Sequence, residues 1–218
     1  MTIKAVLFDF DGTLADSEQG HRRVWNAILA DYGITLEEPL YKAELSGLPV
    51  PDTAKRVIEL FSPDVSAETL TMRKTQETST VFKDTPVPLM PFARELLQAC
   101  SAKGLKLALV TASSRAELKP SLAHHDLLKY FDTLVTRDDV THSKPNPESY
   151  LLGLKRLEVS ADQAFAVEDT SHGVDAAHAA QLRVLAVPNE YSRDHDFSHA
   201  TAVLDGLDNV LAWMDAHS

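Results

Sequence analysis

Cysteine is all but missing from this chain: Cys100 is the single one. No intrachain disulfide can form, and a reducing cytoplasm is the expected setting. Long apolar runs are missing too. No stretch approaches the roughly 20 apolar residues that span a bilayer, and the apolar run in MTIKAVLFDFDG is too short for a signal segment before acids interrupt it. Positive charge is scarce: 21 Lys and Arg face 32 Asp and Glu, for a net charge of −11. That balance favours solubility and argues against nonspecific binding to nucleic acid or to an anionic membrane. Repeats and low-complexity stretches are absent, and no exposed apolar run suggests self-association, so a monomer is expected.

What is present is an ordinary globular composition, with 44% apolar and 24% charged residues over 218 positions. Residues 4–10 (KAVLFDF) read as a buried strand. The next strand of that character is 105–111 (LKLALVT), after a helical segment ending at Gly104, a residue suited to the position just past a helix. From there the spacing predicts helix 114–124, strand 132–136, helix 147–157, strand 164–168, helix 171–180, strand 183–187, a weaker strand at 202–204 and helix 206–215. Alternating strands and helices of this kind predict an α/β fold, a Rossmann-like parallel sheet covered on both faces. Residues 16–85 differ. They show helical patterns, such as Val24, Trp25, Ile28 and Leu29, and no convincing strand. Prolines 86, 88 and 91 close the segment. The expected organisation is an α/β core of residues 1–15 and 86–218, with a small all-helical cap, residues 16–85, inserted after the first strand and joined by two hinges. Trp25 is assigned to the core of that cap.

Ligands of open α/β sheets bind beyond the carboxyl ends of the strands, and four features fall there. Asp9 and Asp11 in DFDGT sit two residues apart where the first strand ends, so both carboxylates face one spot. Like charges so close are costly unless a cation lies between them or one carries a proton; the alternative is a solvated Asp-Gly turn. Thr111, Ala112 and Ser113 follow the second strand and offer a hydroxyl and free N–H groups to an anion, although Thr-x-Ser equally reads as a helix cap. Lys144 stands in SKPNP, stiffened by two prolines, and is either a solvated lysine or a phosphate-directed ammonium. Glu168 and Asp169 end an apolar strand and provide hard oxygen ligands for magnesium, unless Asp169 merely caps the next helix.

With these four motifs the chain resembles the haloacid dehalogenase-like superfamily over nearly its whole length. The matches are DFDGT at 9–13, VTAS at 110–113, SKP at 143–145 and VED at 167–169. Asp16-Ser17-Glu18, followed by His21 and Trp25, is similar to the β-phosphoglucomutase and phosphoglycolate phosphatase-like group, whose cap lies between the first two motifs. The resemblance implies a magnesium-dependent phosphatase that hydrolyses a small phosphomonoester (a sugar, polyol or small-acid phosphate). Asp9 would be the nucleophile, forming an aspartyl-phosphate. Asp11, held partly protonated by its neighbours, would be acid and then base. Mg2+ would be bound by Asp9, the backbone carbonyl of Asp11, Asp169 and Glu168, the last directly or through water. Thr111, Ala112, Ser113 and Lys144 would hold the phosphoryl group, and His21 and Gly47 would touch substrate.

Three other readings compete. A phosphosugar mutase of the β-phosphoglucomutase kind carries an arginine in the loop after the cap glycine; here that place is Val50, and Arg56 lies further on. Phosphonate hydrolysis would need a cap lysine, for which Lys42 and Lys55 are the candidates. A noncatalytic metal- or phosphate-binding module is the reading from another class, argued against by the intact Asp9 and Asp11. His195 and His199 have metal-ligand spacing but no third partner in view. The loop 46–52 (SGLPVPD) has no arginine or lysine, which points to a substrate with a single phosphate and a small neutral or modestly polar body.

Overall fold

The computed structural model describes residues 3–216. Six parallel strands form one sheet in the order β3-β2-β1-β4-β5-β6. They are β1 (Ala5–Phe8), β2 (Lys106–Val110), β3 (Thr133–Val135), β4 (Ala164–Glu168), β5 (Arg183–Ala186) and β6 (Ala202–Val203). The central strand AVLF is buried at all four positions, the continuous apolar run that a strand covered on both faces requires. Its pleat divides the core. Val6 and Phe8 join Leu96, Leu97 and Cys100 of α5 (Ala93–Ala102) and Val210 of α9 (Leu207–Ala216) on one face. Ala5 and Leu7 join Tyr150 and Leu154 of α7 (Glu148–Leu157) and Val174 of α8 (Ser171–Ala179) on the other.

The elements read from the sequence are present; β4 matches its expected span, and the other strands are a residue or more shorter than theirs. Asp9 and Thr111 fall just past β1 and β2, and that shortening is what frees their side chains. Ser114 precedes α6 (Arg115–His124) and caps it, its hydroxyl accepting from Glu117 N at 3.3 Å while Ser114 N donates to the Glu117 carboxylate at 2.8 Å.

Between β1 and α5 the chain forms four helices: α1 (Glu18–Ala30), α2 (Glu38–Glu44), α3 (Val50–Phe61) and α4 (Ala67–Asp84). They enclose a third cluster of Val24, Trp25, Ile28, Leu29, Val57 and Leu70. Trp25 is buried there, as its pattern indicated, but one side of it also lines the cleft between these helices and the strand ends.

Candidate active site

Strand register levels the site. Phe8 pairs with Leu109 on one side and with Val167 on the other. One residue further, Asp9 therefore stands beside Val110 and Glu168, and its N–H donates to Val167 O at 3.0 Å. β1 lies between β2 and β4, where the order of strands reverses. That is the switch point at which such sheets bind ligands.

Asp9, Glu168 and Asp169 converge beyond that edge, each buried, with one carboxylate oxygen apiece within 4.8 Å of the others. A single cation serves this cluster. Lys144 Nζ donates to Asp9 Oδ1 at 2.6 Å, to Glu168 Oε1 at 2.5 Å and to Val110 O at 2.9 Å, and Tyr150 OH also donates to Glu168 Oε1 at 2.5 Å. Burial, Asp9 first among the opposing charges, sets the balance at Lys144: desolvation pulls its pKa down, and the two carboxylates outweigh it and raise it. Burial pushes Asp9 well above the usual carboxylate range, with Lys144 opposing and Glu168 and Asp11 adding to the rise. Asp169 is raised in the same way, by burial and then by Asp9 and Glu168. Three acids around one ammonium are short of positive charge, and the donor set is all oxygen. These residues fit a divalent cation such as magnesium.

Asp169 is held from two further sides. Thr13 Oγ1 donates to it at 3.1 Å, and Asn189 Nδ2 at 2.8 Å while also reaching Gly12 O. A Cβ at Gly12, whose φ is +81°, would lie 2.2 Å from Asp169 Oδ2, so the glycine of DFDGT is required by this approach as well as by its backbone. Asp169 does not cap α8; Thr170 does, its hydroxyl accepting from Gly173 N. The carboxylate is thereby left free for the cluster.

Asp11 faces away from those acids. Ser113 Oγ donates to Asp11 Oδ2 at 2.6 Å, and His21 Nε2 lies 3.3 Å from Oδ1. Lys74 of α4 donates to His21 Nδ1 at 2.9 Å and to Thr78 Oγ1 at 2.8 Å. An ammonium can only donate, so Nδ1 of His21 accepts and its Nε2–H is the group that points at Asp11. Burial acts to raise the Asp11 pKa, but the hydrogen bonds from His21 and from the Ser113 hydroxyl outweigh it and hold the carboxyl well below its ordinary range. The expectation that its neighbours keep Asp11 partly protonated is therefore corrected. In the ligand-free site they keep it ionised.

Each residue marked in the sequence reaches one cleft: Asp9, Asp11, His21, Gly47, Thr111, Ala112, Ser113, Lys144 and Asp169 all line it, and Glu168 lies directly beneath through Lys144. Arg56, Lys42 and Lys55 do not line it. Arg56 forks onto Glu44 at 2.7 Å and meets Glu59 at 2.8 Å, Lys42 pairs with Glu38, and Lys55 pairs with Asp52. Val50, standing where the mutase arginine was sought, is part of the wall. His195 and His199 separate as well: His195 Nδ1 accepts from Ser171 N at 3.4 Å, and His199 Nδ1 is 2.8 Å from Asp175.

Sequence reading missed Lys74, the Glu18–Tyr41 pair (Tyr41 OH to Glu18 Oε2, 2.8 Å), Tyr150 and Asn189. A signal for Lys74 was available. Leu70, Lys74, Thr78 and Phe82 recur every fourth residue as the buried stripe of α4, and a lysine in such a stripe needs a partner. Asn189, in the loop after β5, has no comparable pattern.

Known proteins resemble this chain over most of its length. A fructose-1-phosphate phosphatase (YqaB) of Escherichia coli K12 is 34% identical over 185 residues, 84% of this chain and 95% of its own. A phosphorylated-carbohydrates phosphatase of Thermotoga maritima is 32% identical over 203 residues, 93% of this chain and 91% of its own. The crystal structure of CbbY from Rhodobacter sphaeroides in complex with phosphate superposes with a TM-score of 0.87 at 28% identity, covering 98% of this chain and all of that one. Residues 6–187 match the haloacid dehalogenase-like hydrolases as a family, and the chain belongs to it.

Proposed function

We propose that this protein is a magnesium-dependent phosphatase acting on a small phosphomonoester, a sugar, polyol or small-acid monophosphate, through a phosphorylated Asp9. The observation that carries the reading is the convergence of Asp9 and Asp11 after β1, Thr111 after β2, Lys144 after β3 and Asp169 after β4 onto one cleft. The relatives named as sugar phosphatases support it.

Asp9 Oδ attacks phosphorus in line, and the bond from phosphorus to the substrate alcohol breaks. Asp11 delivers the proton the alcohol takes away. Seating a phosphoryl group beside Asp11 adds a like charge, which raises its pKa in the direction an acid needs. Water then attacks the phosphorus of the aspartyl-phosphate, Asp11 takes its proton, and the bond to Asp9 breaks to release phosphate. Thr111, the Ala112 N–H and Ser113 face the transferred oxygens, and Lys144 supplies positive charge at their edge. Asp9, Asp169 and the Asp11 carbonyl are the proposed magnesium ligands, with Glu168 bound directly or through water. When bound, the ion neutralises phosphoryl charge and keeps Asp9 ionised despite its burial. Residues 16–85 act as a cap that closes over the cleft and excludes bulk water.

A mutase would need a cation placed for a second phosphate on the helical side of the cleft. Val50 and the ion-paired Arg56 supply none, and Lys74, the cation of α4 that lines the cleft, is engaged by His21 and Thr78, so the phosphatase reading is preferred. We place the enzyme in the cytoplasm, as a monomer whose partner is a phosphorylated metabolite rather than nucleic acid or membrane. The test is phosphate release from a panel of sugar, polyol and small-acid monophosphates, with magnesium or with chelator. Magnesium-dependent release that Asp9→Asn abolishes is the expected result; a folded, magnesium-loaded protein that hydrolyses none of them would refute the phosphatase reading.

A further inference from the structure

Tyr41 holds only half of the Glu18 carboxylate. Glu18 opens α1, is 8% exposed and lines the active-site cleft. The Tyr41 hydroxyl donates to its Oε2 at 2.8 Å, which ties α1 to α2. Among the described residues nothing donates to Oε1. Nor is Oε1 among the unpartnered atoms sealed from solvent, such as Ser17 Oγ and Tyr191 OH, so it keeps accessible surface. The ionisable groups that act on this carboxylate, His21, Asp11 and Lys74, line the same cleft. A tie to one tyrosine needs one acceptor; the second oxygen is open to a ligand.

The surroundings say what kind of ligand. Trp25 lies seven residues further along the same face of α1 and also lines the cleft, and among the described residues its indole N–H has no hydrogen-bond partner. This wall therefore offers an open acceptor and an open donor. Lys74 is its cation, but it donates to His21 and Thr78 and already stands among the carboxylates of Glu117, Asp11 and Glu18. A substrate body with a carboxylate or a second phosphate would set a like charge against Glu18. A body with no polar group would strip water from Oε1 and leave it unpaired. A hydroxyl donates to the carboxylate, and its oxygen still accepts. Resting on the phosphatase reading above, we infer that Glu18 is a specificity-determining residue that accepts a hydrogen bond from a hydroxyl of the substrate body, selecting neutral hydroxylated monophosphates over those with an anionic or a bare body.

The test compares Glu18→Leu and Glu18→Gln with wild type on three substrates: fructose 1-phosphate, phosphoglycolate, whose body is a carboxylate, and phenyl phosphate, whose body has neither hydroxyl nor charge. Leucine removes both oxygens. Glutamine keeps the shape, an acceptor for Tyr41 and a polar group in the cleft, but no charge. On Glu18→Leu the KM for fructose 1-phosphate should rise with kcat little moved, and the loss in kcat/KM should exceed that on phenyl phosphate about tenfold. On Glu18→Gln fructose 1-phosphate should keep most of its kcat/KM, while phosphoglycolate gains about tenfold relative to phenyl phosphate because the repelling charge is gone. A purely structural tie to Tyr41 would change all three substrates alike. Equal changes on all three, or no change, would overturn the role of Glu18 while wild-type turnover leaves the phosphatase reading standing. If Glu18→Leu does not fold, the isosteric Glu18→Gln decides by the same comparison. Absence of phosphate release by wild type from every substrate would overturn both.

Discussion

The two sides of the cleft are built on opposite terms. The floor, at the ends of β1, β2 and β4, packs three carboxylates around one lysine and leaves them short of positive charge. The wall formed by α1–α4 turns its own cations elsewhere: Arg56, Lys42 and Lys55 are tied to acids away from the cleft, and the face it offers is largely apolar. The chemistry of a phosphoryl group constrains the floor. Only the shape and polarity of one substrate constrain the wall. Lys74 breaks the division, because it belongs to the wall and yet reaches the floor through His21.

Changes to the floor should have the largest effects. Lys144→Met leaves Asp9 and Glu168 buried without their cation, so activity should fall by about two to three orders of magnitude. In chelator the fold should lose about 3–5 kcal/mol, read by thermal or denaturant unfolding, and added magnesium should restore part of it. A stability unaffected by magnesium would mean that the acids do not form the ion site.

Gly173→Ala probes the same cluster from beneath, since a Cβ there would lie 2.0 Å from the Glu168 carboxylate. Displacing Glu168 should raise the magnesium concentration for half-maximal activity by about 10- to 100-fold. An unchanged magnesium requirement would remove Glu168 from the metal's surroundings.

Lys74→Met tests the one bridge between the two sides. Losing the group that orients His21 should lower kcat by about tenfold or more, while the fold becomes more stable at neutral pH. Burial depresses the Lys74 pKa from 10.5 to about 8, against the opposing pull of Glu117. A lysine with a lowered folded-state pKa costs stability in full below pH 8. The cost fades as pH rises from 8 towards 10.5, where the unfolded chain still holds the proton and the folded one has released it. The stabilisation by Lys74→Met should therefore be largest at pH 7 and shrink by pH 10 in denaturant titrations.

Arg56→Ala should do least. Its partners Glu44 and Glu59 are 36% and 62% exposed, and such surface pairs contribute about 1 kcal/mol or less. Activity should stay within about twofold across the monophosphate panel. A specific collapse of activity toward bisphosphates would reopen the mutase reading.

The same contrast explains what could be read from the sequence. Strand ends are local: an apolar run stops, an acid follows, and the parallel register brings Asp9, Thr111 and Asp169 together without further information. Lys144 was marked by its flanking prolines. What the sequence does not show is where side chains point after long excursions. The pairing of Glu18 with Tyr41 spans 23 positions, and Asn189 reaches Asp169 from a loop with no pattern of its own. The protonation of Asp11 was misjudged for the same reason. Its proximity to Asp9 is visible in the motif, but the opposing pull of His21 and Ser113 depends on α1 and on the loop after β2 folding over it.

The central claim is that Asp9 carries the phosphoryl group between the two half-reactions. Acid-quenching the enzyme during turnover of its best monophosphate, followed by peptide mass measurement, tests this directly. The account predicts a peptide containing Asp9 heavier by one phosphoryl group, labile to hydroxylamine and absent in Asp9→Asn. Turnover at full rate with that peptide unmodified at every quench time, or with the modification on another residue, would contradict it.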